Sequence, residues 1–202
     1  MKKYRIRKGS LADKARKAGG VLVVGAMTFS LVLFAGCEYE KAARAETATE
    51  VEATTDNYTY GVPLASELQL FIANTCEDYD VDPALVIAMI GAESSYNSGA
   101  VGDGGNSVGL MQVQSKWHAE RMARLGVTDL TNPYQNVIVG VDYIAEKLAI
   151  GSGVEWALMA YNGGNRYADK MAATGQVSDY ALEVMAEAYK LTAERGEYGA
   201  LQ

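Results

Sequence analysis

From Pro63 onward, apolar residues recur every three or four positions, and no segment alternates apolar with polar long enough to read as a strand. The first helical pattern begins around Pro63 and carries Leu68, Leu70, Phe71 and Ile72, with Cys76 as a small buried hydrophobe. Asp82 followed by Pro83 supplies an N-cap and a proline at the first helical position, which opens a second helix from Pro83 to about Ser95. Its run from Ala84 to Ala92 is apolar on nearly every side, the pattern of a helix in the middle of a domain. Asn132 and Pro133 repeat the device ahead of Val137, Ile138, Val141, Ile144 and Leu148, and Gly151 and Gly153 end that helix. A further helix from about Val154 to Tyr161 is stopped by Gly163 and Gly164, and Ser178 can cap a last one holding Ala181, Leu182, Val184 and Met185. Between Gly99 and Gly109, with five glycines, lies the long irregular stretch, a natural site element beside a central helix. These patterns predict one all-α globular domain over residues 63–192, with a tail at 193–202.

One residue breaks the pattern of the central helix. Three, four and seven positions before Glu93 stand Ile90, Met89 and Val86, so its carboxyl shares a stripe with core residues. Burial disfavours the charged form, and the negative end of the helix dipole acts in the same direction. A carboxyl kept protonated near neutral pH can serve as a general acid. The alternative is an ion pair, with Arg121 or Arg124 as the partner, or an outward-pointing residue at a frayed end.

Charge and hydropathy divide the chain of 202 residues. Residues 1–36 hold eight Lys/Arg and one acid, Asp13, whereas the rest holds ten Lys/Arg against 24 Asp/Glu, so the net charge of -7 conceals a strongly acidic remainder. That excludes nucleic acid as a partner, which calls for a basic face. The basic start precedes an uncharged stretch from Ala18 to Cys37, an export signal or a membrane anchor that leaves everything after Cys37 outside the membrane. Leu33-Phe34-Ala35-Gly36-Cys37 resembles a bacterial lipoprotein signal, which implies lipidation of Cys37. An uncleaved single span is the other reading of residues 1–37. Residues 38–62, dominated by Glu, Ala and Thr, are expected to form a disordered acidic linker reaching at most about 80 Å. Two cysteines and a single histidine exclude a disulfide framework and a four-ligand zinc site, and His118 reads as a surface or packing residue.

Three motifs then bear on Glu93. Glu93-Ser94-Ser95-Tyr96-Asn97, Gly109-Leu110-Met111-Gln112 and Ala160-Tyr161-Asn162-Gly163-Gly164 follow the order and approximate spacing of the soluble lytic transglycosylase family, whose fold is lysozyme-like. The resemblance runs from about Leu68 to Met185. The stretch from Gly102 to Val113 is also similar to the corresponding stretch of goose-type lysozymes.

The resemblance implies that Glu93 protonates the glycosidic oxygen between N-acetylmuramic acid and N-acetylglucosamine in peptidoglycan. It also implies substrate assistance by an acetamido group, closure of a 1,6-anhydro ring, and no cofactor or metal. It gives Ser94, Gln112 and Asn162 as sugar contacts and Tyr161 as the residue placing the acetamido group or the acid. Met111 and Tyr180 match groove-lining positions, with a core role as their alternative, and Gly109 matches a point of close backbone approach to the sugar or the glutamate. Asp103 matches one of two aspartates that hold a hydrolytic water in goose-type enzymes, and its alternative is ordinary turn chemistry. Gln114 stands where the second would be, which favours ring closure over hydrolysis.

The leading expectation is thus a lytic transglycosylase, extracytoplasmic and tethered to the membrane, acting on glycan strands. A muramidase cleaving the same bond with water, and a non-catalytic peptidoglycan-binding scaffold, are the alternatives. Association with conjugation or secretion machinery is suggested by analogy alone.

Overall fold

The computed structural model describes residues 59–199. The expected leader, Cys37 and most of the expected linker lie outside the described residues. Among the described residues there are seven helices: α1 (Ser66–Tyr79), α2 (Pro83–Ser94), α3 (Ser115–Leu125), α4 (Pro133–Leu148), α5 (Val154–Gly163), α6 (Asn165–Ala173) and α7 (Asp179–Gly199). The mainly helical reading of the sequence therefore holds.

The cap signals act as their chemistry dictates. Asp82 accepts the backbone N–H of Ala84 at the start of α2, and Asn132 accepts those of Tyr134 and Gln135 at the start of α4. Ser178 caps α7 by accepting the N–H of Ala181. α1 begins at Ser66 rather than at Pro63. α2 is enclosed by α1 and α7, with every residue from Ala84 to Ile90 buried. Packing on several sides explains why its sequence lacks a polar face.

Two expectations are corrected. The glycine-rich stretch is an antiparallel three-stranded sheet with its link to α3: β1 (Val101–Gly102), β2 (Ser107–Val108) and β3 (Val113–Gln114). Val101 pairs with Val108, and Ser107 with Gln114. Strands of two residues are too short for alternation to show in a sequence. The domain also reaches beyond the expected boundaries. Tyr60 is buried, its backbone N–H donating to Gln69 Oε1 at 2.6 Å, and its hydroxyl accepts from Arg195 at 3.2 Å. Both ends of the domain thus meet, and α7 runs to Gly199, into the segment read as a tail.

One buried side chain joins the sheet region to the helices. Asn136, in the first turn of α4, accepts from the N–H of Met111 and donates to the carbonyls of Val108 and Leu130. It fixes the turn between β2 and β3, which borders the site.

Candidate active site

Glu93 sits in the last turn of α2, where the apolar register of the helix brings it to the wall of an open cavity of about 810 Å³. Its Oε1 accepts a hydrogen bond of 2.7 Å from the hydroxyl of Tyr180, in the first turn of α7. Burial pushes the carboxyl above its ordinary range, the Tyr180 bond offsets part of that, and the negative charge of Asp103 adds to the rise. The arginines that could have neutralised it are engaged elsewhere. Arg121 and Arg124 pair with Asp142, and Arg121 also pairs with Glu146. Burial raises the Tyr161 and Tyr180 phenols as well, with Glu93 contributing, so both stay protonated donors.

The chain after Glu93 turns sharply and under strain. Ser95, Tyr96, Asp103 and Gln112 have φ of 50°, 65°, 49° and 45°, conformations that L-residues disfavour. Four such residues within twenty positions indicate backbone held by its surroundings, a feature that concentrates at functional sites. Gln112 is fixed by donating from Nε2 to the carbonyl of Gly109 at 2.9 Å and to that of Ala100 at 3.3 Å. Asp103 Oδ2 accepts from Ser107 Oγ at 2.6 Å and from Gln114 Nε2 at 2.8 Å. Gln114 therefore clamps Asp103 directly, which goes beyond a turn role for the aspartate.

Of the residues singled out from sequence, Glu93, Asp103, Gln112, Tyr161 and Asn162 line the same cavity. Tyr161 donates to the carbonyl of Met111 at 2.8 Å, fixing its ring beside Glu93. Tyr180 acts on the cavity through its bond to Glu93. Ser94 instead donates back to the carbonyl of Ile90, and its hydroxyl is thereby used within α2. Met111 is fully buried in the core, which fits the packing alternative. Gly109, with φ of 76°, is required by something other than a sugar: a Cβ there would collide with the side chain of Asn136 and the backbone of Leu130. Close backbone approach is present, but to α4 and its preceding loop.

The opposite part of the lining comes from α3 and α4 and was not foreseen: Trp117, His118, Arg121, Tyr143, Glu146 and Lys147. Tyr143 organises it, with Arg121 at 5.0 Å, Lys147 at 4.7 Å, His118 at 4.5 Å and the Tyr161 ring at 5.0 Å. His118 Nδ1 accepts from Arg121 Nε at 3.3 Å, and burial, aided by Arg121, lowers the imidazole to about 4. In sequence, Tyr143, Glu146 and Lys147 read as the polar face of the helix opened by Asn132 and Pro133, and the helix that carries Trp117, His118 and Arg121 has no counterpart among the sequence-predicted helices. Tyr143, Glu146 and Lys147 at i, i+3 and i+4 give the one hint that such a face is shared.

A helical domain with a half-buried carboxyl, its pKa raised, in the wall of a polar cleft is a layout that general acid catalysis can use. The chain belongs to the Transglycosylase SLT domain family, whose model matches residues 70–182. It is therefore an enzyme of the lytic transglycosylase class. The X polypeptide of Escherichia coli is 35% identical over 119 residues, covering 50% of this chain and 69% of that protein. A transglycosylase of Enterobacteria phage PRD1 is 35% identical over 96 residues, covering 48% of this chain and 34% of the phage protein. Among solved structures, an inactive mutant of the lytic transglycosylase Slt of Pseudomonas aeruginosa aligns with a TM-score of 0.47 and 19% identity, over 63% of this chain and 21% of its own.

Proposed function

We propose that this chain cleaves the β-1,4 bond between N-acetylmuramic acid and N-acetylglucosamine in peptidoglycan, with Glu93 as its single acid/base. The observation that carries the reading is the half-buried Glu93 carboxyl, its pKa raised by desolvation and its Oε1 held by Tyr180, within a cavity lined by Gln112, Tyr161 and Asn162. Because Oε1 accepts from Tyr180, Oε2 carries the transferable proton. Glu93 gives that proton to the glycosidic oxygen as the C1–O4 bond breaks, and the substrate's acetamido oxygen stabilises the cationic C1. The resulting carboxylate removes the C6 hydroxyl proton, and O6 bonds to C1 to close the anhydro ring. Glu93 ends protonated and no water is consumed. Amide side chains suit the binding of N-acetyl sugars, which offer carbonyl acceptors and hydroxyl donors.

Ring closure rather than hydrolysis is favoured by the state of Asp103. Its Oδ2 is occupied by Ser107 and Gln114, and no second carboxylate stands at position 114 to share a water with it. Product analysis decides the matter. Digests of purified cell walls are expected to contain anhydro-muropeptides, lighter by one water than the hydrolytic products, and reducing ends alone would make the enzyme a muramidase. Binding to walls without any cleavage would make it a scaffold.

The basic start and apolar stretch before Cys37 support a site of action outside the cytoplasmic membrane, with the domain tethered there. Palmitate incorporation that disappears in Cys37→Ser would establish a lipid tether, and its absence from the parent chain would favour a single span. Local opening of the wall for a conjugation or secretion apparatus fits such a tethered enzyme by analogy.

A further inference from the structure

Trp117 stands out in the cavity lining because it is 75% exposed, the position of a large aromatic that no packing requirement explains. It lies in the first turn of α3, four residues before Arg121 and hence on the same helix face, and next to His118. The Lys116 ammonium lies 5.3 Å from the ring centroid on one face. The surroundings define what the other face would meet. Arg121 is held by His118, Asp142 and Glu146, and Lys147 pairs with Glu146, so both cations are already engaged by side chains of this cluster. With Nδ1 of His118 taken by Arg121, Nε2 is the nitrogen that bears the proton of the neutral ring, and it remains as an uncharged donor. An exposed indole beside neutral hydrogen-bonding groups and an aromatic floor fits an uncharged pyranose ring, whose C–H face is apolar and whose edge is polar. The cavity volume of about 810 Å³ is near the top of the roughly 300–1,000 Å³ that encloses drug-sized ligands, enough for an oligosaccharide rather than one ring.

We propose that Trp117 is a stacking platform for a neutral N-acetylated sugar of the glycan strand, an additional binding position besides that at the cleaved bond. This rests on the glycan reading above. Such a platform makes the enzyme favour long strands over short fragments.

The experiment uses the full chain carrying Glu93→Gln, which binds without cutting, and peptide-free glycan strands released from cell walls by an amidase. Trp117 and Trp156 are the two tryptophans of the chain. Trp156 is 6% exposed and donates to Asp169, so acrylamide quenching of fluorescence reports Trp117. Saturating strands are expected to protect Trp117 from acrylamide. In the chain retaining Glu93, Trp117→Ala is expected to raise KM for long strands about tenfold while kcat stays within about twofold, with Trp117→Tyr recovering most of the loss. Strands that bind while Trp117 stays fully quenchable, or an unchanged KM in Trp117→Ala, would overturn the platform and leave the role of Glu93 standing. If the strands neither bind to the Glu93→Gln chain nor are cut by the parent, the glycan reading fails and the platform with it.

Discussion

At the scale of single residues, the Tyr180 hydroxyl and the Asp103 carboxylate act on Glu93 with opposite signs. The hydrogen bond from Tyr180 lowers the Glu93 pKa and the charge of Asp103 raises it. If the protonated acid starts the reaction, the alkaline fall in activity follows that pKa. Tyr180→Phe is then expected to move this fall to higher pH and Asp103→Asn to lower pH, read from pH profiles of kcat/KM. Glu93→Gln removes the proton donor, and wall-digesting activity is expected to drop about 10²- to 10⁴-fold with an unchanged helical circular dichroism spectrum. The same substitution has a stability signature. Since folding raises the Glu93 pKa, the contribution of its protonated form is fully present below the ordinary glutamate value and is lost as pH rises through the folded-state value. The melting temperatures of parent and Glu93→Gln should therefore be alike below the ordinary glutamate pKa, with the variant melting higher than the parent as pH rises above it.

At the scale of elements, legibility followed the length and periodicity of each segment. α2 and α4 could be read because Asp82-Pro83 and Asn132-Pro133 announce their starts and ten or more apolar-patterned residues follow. The β1–β3 sheet could not, since its strands are two residues long and their pairing depends on Asn136, far along the chain. Register first marked Glu93 and the flanking motifs strengthened the case, whereas Tyr143, Arg121 and Lys147 were hidden because a polar helix face reads the same whether it meets solvent or a cleft. Asn136 supplies the element-scale test. Removing its side chain leaves the N–H of Met111 and the carbonyls of Val108 and Leu130 without that partner, at about 1–3 kcal/mol for each buried group left unsatisfied. Asn136→Ala is expected to cost about 3 kcal/mol in urea unfolding. It should also lower activity more than its distance from Glu93 would suggest, because the strained Gln112 turn loses its support.

At the scale of the whole molecule, α7 closes the structure. Ala181, Val184, Ala188 and Leu191 bury one stripe of it, and the helix packs along α2 and α5. A charge in that stripe, as in Val184→Asp, is expected to destabilise by several kcal/mol and to abolish activity together with cooperative unfolding, measured by circular dichroism. The position of Tyr180 on this helix has a consequence for the life of the protein in the cell. Glu93 is synthesised 87 residues before the phenol that orients it. A nascent chain therefore holds the Glu93 carboxyl without the phenol that orients it until α7 has docked.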